Sequence, residues 1–127
     1  MHWSDAYVGR LYDSDTYDCG DLARDVAWDR FGLRLDFPAH AVRPDLLESE
    51  IRALETSFAE KVGTPSDGEP VLLYHRGYAA HIGVATHING EWYCLHNLKG
   101  MGVVRERMSR LEHCPGGGIA GYYRWKR

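Results

Sequence analysis

Three residues of this sequence, Cys19, His81 and His96, carry the side chains that nucleophilic catalysis by a thiol requires. A thiolate attacks a carbonyl carbon, a histidine moves the proton, and a third polar group fixes the tautomer of that histidine. Cys19 lies at the predicted start of a helix, where backbone N–H groups and the helix dipole stabilise a thiolate. We expect Cys19 to be the nucleophile, His81 the general base and His96 the orienting residue. We also expect the thiolate to persist despite the nearby charges of Asp18 and Asp21.

The two histidines are brought together by a predicted hairpin. Residues 81–88 and 91–97 are rich in β-branched and aromatic side chains, which is typical of strands. Asn89-Gly90 between them favours a two-residue type I′ turn, because both central positions of that turn need positive φ. In the resulting register Gly83 faces the second histidine, and the two imidazoles become diagonal neighbours on one face of the sheet. Gly83 leaves room for one imidazole to orient the other.

The elements that must position these residues predict an α+β domain. Apolar residues at helical spacing predict a helix over 19–31, with Gly32 as its C-cap. A second helix is predicted from near Pro44 to near Gly63, with Leu47, Ile51, Leu54, Phe58 and Val62 on its apolar face. A loop at 64–70 then separates the helical half from the strands. Further strands are predicted at 71–75, 103–105 and 119–125. Helices followed by strands favour N-terminal helices packed on a central antiparallel sheet.

Length and composition fit one domain spanning residues 1–127. The chain is 44% hydrophobic and 26% charged, as in ordinary globular proteins. Its net charge of -3 argues against nucleic-acid binding. No apolar run approaches the roughly 20 residues needed to span a bilayer, and the N-terminus lacks the apolar stretch of a signal peptide. We therefore expect no membrane span and synthesis in the cytoplasm, with any export depending on another machine.

The three cysteines cannot all pair within one chain, so at least one thiol is free. Cys94 with His96, and His113 with Cys114, offer metal-ligating side chains, but their spacings match no common zinc site. We therefore predict no metal and no organic cofactor. A lone buried cysteine is more often inert packing, and a strand histidine more often satisfies a local hydrogen bond. The prediction of a catalytic site depends on the combination of Cys19 with the histidine pair.

The ordered motifs resemble the NlpC-type cell-wall peptidases, and especially their short phage and prophage members that accompany tail assembly. Tyr7-Val8-Gly9-Arg10-Leu11-Tyr12 is similar to the opening segment of that family, and Tyr17-Asp18-Cys19 with Leu22 to its nucleophile motif. His81-Ile82-Gly83-Val84 resembles the strand of its base, and Leu95-His96 the strand of its third catalytic residue. Gly32-Leu33-Arg34-Leu35 and Gly121-Tyr122-Tyr123-Arg124 resemble the helix exit and the closing strand. One departure is Gly20-Asp21, where many members have Ser-Gly.

The resemblance implies a papain-like α+β fold and a cysteine peptidase that hydrolyses amide bonds of peptidoglycan stem peptides through a thioester. It implies Tyr12 and Asp18 as the residues that contact substrate. It also implies phage tail proteins as partners, and a protein that acts at the bacterial cell wall, in the cytoplasm before release or attached to a virion tail. Three alternatives stay open: a non-catalytic tail assembly protein, an amidase effector aimed at competing bacteria, and an acyl or glutaminyl transferase.

Overall fold

The computed structural model describes residues 2–13, 16–35, 57–75, 78–113 and 118–127. A short 3-10 helix at Trp3–Ala6 comes first, and the main helix, α1, is Cys19–Phe31. The remaining elements are β1 (Ala59–Val62), β2 (Pro70–His75), β3 (Tyr78–Ile88), β4 (Glu91–Leu98), β5 (Gly102–Arg107), the short helix α2 (Met108–Glu112) and β6 (Ile119–Trp125). No helix within these ranges is long and apolar enough to cross a membrane.

The six strands form one sheet in the order β1-β6-β2-β3-β4-β5. Every pairing between neighbouring strands is antiparallel. The predicted strands at 71–75, 103–105 and 119–125 are confirmed, and the second of them extends to Arg107. The structure is therefore α+β with an antiparallel sheet, as the order of the sequence patterns predicts.

The β3–β4 hairpin has the predicted turn and register. Asn89 and Gly90 have φ values of 51° and 82°, both positive, as a type I′ turn requires. Ile88 faces Glu91, and the pairs continue without a shift to Gly83 and His96. A slip of one residue would move every side chain of β4 to the opposite face, so this turn decides which residues meet.

Helix α1 begins and ends where the sequence predicts. Asp18 caps its first turn, and Gly32 follows it in the left-handed region with φ 66°. A left-handed residue at this position lets the chain reverse and satisfy the last carbonyls, and glycine adopts that conformation without strain. Leu22 and Val26 on the inner face are fully buried against the sheet, and each such side chain contributes about 1.5–3 kcal/mol to stability.

The two faces of the sheet carry separate apolar clusters. The α1 face holds Ile82, Val84 and Leu95 from the hairpin, together with Trp125 of β6. The opposite face, called the α2 face below, holds Val71, Leu73, Ala85, Cys94 and Met108. Since side chains alternate along a strand, the two candidate histidines belong to the α2 face. Helix α1 and the histidine pair thus lie on opposite sides of the sheet.

The predicted second helix is wrong at its C-terminal end. Ala59–Val62 form strand β1, in which Ala59 pairs with Trp125 and Val62 with Tyr122. Ala59 is buried while Glu60 and Lys61 are exposed. The apolar spacing of Phe58 and Val62 suits a helix, but pairing with the distant β6 decides the conformation of so short a segment. The earlier part of that prediction, at 44–56, lies outside the described residues.

Candidate active site

Cys19 is the first residue of α1, and side chains on both sides of it fix the start of the helix. Asp18 Oδ1 accepts hydrogen bonds from the N–H groups of Gly20 (2.9 Å) and Asp21 (3.1 Å). Asp21 Oδ2 accepts in return from the N–H of Asp18 at 2.9 Å. This reciprocal pattern is a capping box. The carboxylate of Asp18, one of the two predicted substrate contacts, is thus engaged in positioning the helix beside Cys19.

A side chain of β4 ties this helix start to the sheet. Asn97 is buried, and its Nδ2 donates to the carbonyl of Tyr17 at 3.0 Å and to that of Asp18 at 3.3 Å. The β3–β4 register ends at the Gly83–His96 pair, although β4 continues to Leu98. The start of α1 therefore packs where the two strands stop pairing. There the N–H of Ile82 lies close enough to the thiol of Cys19 to lower its pKa.

The surroundings of Cys19 favour the neutral thiol over the thiolate. Burial raises the pKa of Cys19 to about 11, and the charge of Asp18 adds to this effect. The N–H groups of Ile82, Gly20 and Cys19 itself oppose the increase. The raised pKa argues against the expected persistent thiolate, because loss of hydration outweighs the donors at the helix start.

The histidine pair forms as the hairpin register predicts. His81 Nε2 lies 2.9 Å from His96 Nδ1, within hydrogen-bonding distance, and the ring centroids are 5.1 Å apart. His96 is 3% exposed, whereas His81 is only partly buried. Burial lowers the pKa of His96, and Glu106 partly offsets that decrease. The buried ring is therefore neutral and able to orient the more accessible one.

Glu106 is a member of the site that the sequence patterns missed. Its Oε1 lies 2.9 Å from His96 Nε2, the ring nitrogen not bonded to His81. In the β4–β5 register Val104 faces His96, so Glu106 is the diagonal neighbour two residues further along. The alternation of side chains along β5 could have identified Glu106, because it places Val104 and Glu106 on the same face of the sheet. The predicted strand ended at Arg105, one residue too early to use it.

Tyr12, the second predicted substrate contact, lies near the nucleophile. Burial raises the pKa of Tyr12, and the charges of Cys19 and Asp18 contribute to the increase. These interactions place the phenol within electrostatic reach of the thiol. Tyr12 thus interacts electrostatically with Asp18 and Cys19 at the start of α1.

Strand β3 passes close to Cys19 at the residue that follows His81. Ile82, whose N–H contacts the Cys19 thiol, directly follows His81 in β3. The side chain of His81 belongs to the α2 face, whereas Cys19 packs with the apolar cluster of the α1 face. His81, His96 and Glu106 thus form one set of polar contacts on the α2 face, and strand β3 connects this set to the surroundings of Cys19 through Ile82.

The other two cysteines differ from Cys19. Cys94 is fully buried, and burial raises its pKa; Cys114 lies outside the described residues. Within those residues, no group of three His, Cys, Asp or Glu side chains is arranged to hold a metal ion. Cys94 instead packs against Gly83 and belongs to the apolar cluster of the α2 face.

The gap at Gly83 yields a testable prediction. A Cβ at this position would lie 2.5 Å from Cys94 Sγ and 3.2 Å from His96 Cβ. Gly83→Ala should therefore lower the free energy of unfolding by about 1–3 kcal/mol, as overpacking does, measured by urea denaturation. Adding Cys94→Ala removes the nearest atom, so the double variant should be more stable than Gly83→Ala alone. Unchanged stability of Gly83→Ala would contradict this close packing.

Comparisons of the chain with protein-family profiles, with curated proteins and with solved structures find no match.

Proposed function

We propose that this protein is an NlpC-type cysteine peptidase with a papain-like site, which hydrolyses amide bonds in peptidoglycan stem peptides. The observation that carries the proposal is the joint placement of Cys19 at a capped helix start and of a hydrogen-bonded imidazole pair on the adjoining strands. Nucleophile, base and orienting group are the three parts that thiol catalysis requires. The substrate class follows from the motif resemblance.

In the first half of the reaction, His81 accepts the thiol proton as Cys19 Sγ attacks the carbonyl carbon of the scissile amide. His81 Nε2 is engaged by His96, so the proposal assigns proton transfer to Nδ1. The developing oxyanion is stabilised by the backbone N–H of Cys19, because the first N–H groups of a helix have no partner within it. His81 then protonates the leaving nitrogen, the C–N bond breaks, and a thioester remains on Cys19.

In the second half, water attacks the thioester carbonyl. His81 takes a proton from that water and returns it to the departing sulfur, which restores the thiol and releases a carboxylic acid. His96 stays hydrogen-bonded to His81 throughout and steadies the imidazolium that forms in each half. Tyr12, beside Cys19, is the residue proposed to contact the stem peptide.

The place of action also follows from the resemblance. The protein would be made in the cytoplasm and carried to the cell wall with phage tail proteins as partners. Neither half of the proposed reaction uses a metal or an organic cofactor.

The test is digestion of purified peptidoglycan of the diaminopimelate type, followed by mass analysis of the released material. The expected products are stem-peptide fragments whose summed mass exceeds that of the intact peptide by one water. Protein alkylated at Cys19 with iodoacetamide is the matched control and should release nothing. If native protein releases no fragments from this peptidoglycan, hydrolysis is the wrong function and the tail-assembly alternative gains support.

A further inference from the structure

Glu106 continues the hydrogen-bonded chain of the site beyond the two histidines. The chain runs from Glu106 Oε1 to His96 Nε2 and from His96 Nδ1 to His81 Nε2, and both distances are 2.9 Å. The side chain of His96 is 4% exposed and that of Glu106 28%. Three side chains from β3, β4 and β5 thus form one continuous chain of polar contacts across the α2 face.

Glu106 determines the direction in which hydrogen bonds are donated from His81 through His96. An ionised carboxylate can only accept, so His96 Nε2 must carry the hydrogen. Burial keeps His96 neutral, as its lowered pKa indicates, and Nδ1 of a neutral ring with a protonated Nε2 is a lone-pair acceptor. His81 Nε2 must then donate to it. The lone pair of neutral His81 is consequently left on Nδ1.

We propose that Glu106 is a positioning residue of this site, which fixes the tautomers of both imidazoles so that the His81 lone pair resides on Nδ1. Its catalytic consequence rests on the proposed function, because Nδ1 is the atom assigned to the Cys19 thiol. Once His81 gains a proton, the chain keeps its direction, since Nε2–H still donates to His96. The negative charge of Glu106 then stabilises the imidazolium through one intervening ring.

Two substitutions test the proposal. Glu106→Gln keeps the size of the side chain, but an amide can donate as well as accept, so it no longer dictates the tautomer of His96. Glu106→Leu removes the acceptor altogether. The matched control is Glu112→Gln on α2, since Glu112 accepts from Tyr122 at 2.8 Å rather than contacting an imidazole.

The primary measurement is NMR of protein labelled with ¹⁵N in the histidine rings, in which chemical shifts distinguish Nδ1–H from Nε2–H tautomers. In the native protein and in Glu112→Gln, His81 and His96 should both be Nε2–H. In Glu106→Gln and Glu106→Leu, Nδ1–H forms should appear at one or both histidines. Tautomers that stay Nε2–H in both variants would overturn the proposal, and Glu106→Gln keeps the test valid if the leucine variant does not fold.

Hydrolysis supplies the second measurement. In the variant with altered tautomers, kcat should fall by up to about 10⁴-fold, the loss seen when the orienting acid of a triad is replaced, with little change in KM. An unchanged kcat despite altered tautomers would overturn the positioning role. The NMR measurement needs no substrate. If the native protein fails to digest peptidoglycan, the proposed function is wrong, but the tautomer assignment is still tested.

Discussion

Substitution of Cys19 by alanine is expected to abolish peptidoglycan hydrolysis, with kcat falling by about 10⁴- to 10⁶-fold, the scale observed when a nucleophile of a triad is removed. In the proposed reaction the acyl group is held as a thioester on Sγ, and no other group near the start of α1 replaces that atom. His81 and His96 remain in place, but they then have no thiol to activate. The measurement is the rate of fragment release, followed by mass spectrometry.

The fold should survive this substitution. The helix start is held by Asp18, Asp21 and Asn97, none of which is altered. Alanine is also a good helix former, so the free energy of unfolding should change by about 1 kcal/mol or less.

Cys94→Ala is the matched control for Cys19→Ala. It also removes a thiol, but one that is fully buried among the apolar residues of the α2 face. It should retain hydrolysis within about tenfold of the native rate, because Cys94 has no step in the proposed reaction. If Cys19→Ala hydrolyses peptidoglycan at the native rate, Cys19 is not the nucleophile.

The parts of the structure that follow from short-range signals could be predicted from the sequence. Asp18 and Gly32 mark the ends of α1 through local capping geometry. Asn89-Gly90 fixes a register by its own backbone preferences, and that register brings His81 and His96 together. Side-chain alternation then gives their common face. The proximity of His81 and His96 can therefore be predicted from the Asn89-Gly90 turn and the residue pairing that it sets.

The parts of the structure that depend on pairing between distant segments could not be predicted from the sequence. Residues 59–62 carry a spacing compatible with a helix, and only β6, whose partners begin at Tyr122, makes them a strand. Helix α2 has five residues, too few for a periodic pattern. Glu106 required the β4–β5 register, and the connection between those strands, Lys99-Gly100-Met101, lacks a turn dipeptide as informative as Asn-Gly.

The ionisation state of Cys19 could not be predicted from the sequence either, because it depends on the balance between opposing effects. The helix start and the N–H of Ile82 lower the pKa of the thiol, while burial and the charge of Asp18 raise it. The sequence indicated the helix start and the acidic neighbours. It did not indicate that packing at the helix start removes enough hydration from Cys19 to raise its pKa, and this loss of hydration decides the sign.

Alkylation of Cys19 is accordingly expected to accelerate with pH over an unusually wide range. The thiolate is the reactive form, and burial raises the pKa of Cys19 to about 11. Below that pH the thiolate fraction increases tenfold per unit, so the rate with iodoacetamide should increase about 10³-fold from pH 7 to pH 10. The measurement is the mass of the peptide containing Cys19 after timed labelling at each pH.

A short unstructured peptide containing one cysteine is the reference for this experiment. With an ordinary thiol pKa of about 8.5, its labelling rate should level off above about pH 9, whereas that of Cys19 should continue to increase. The raised pKa values of Cys19 and Cys94 also mean that ionisation at high pH disfavours the folded state, so circular dichroism must confirm the native fold at each point. A labelling rate that stays constant between pH 6 and pH 8 would mean that Cys19 is already a thiolate paired with an imidazolium. In that case the proton is transferred before substrate binds, and the step in which His81 removes it during attack is wrong.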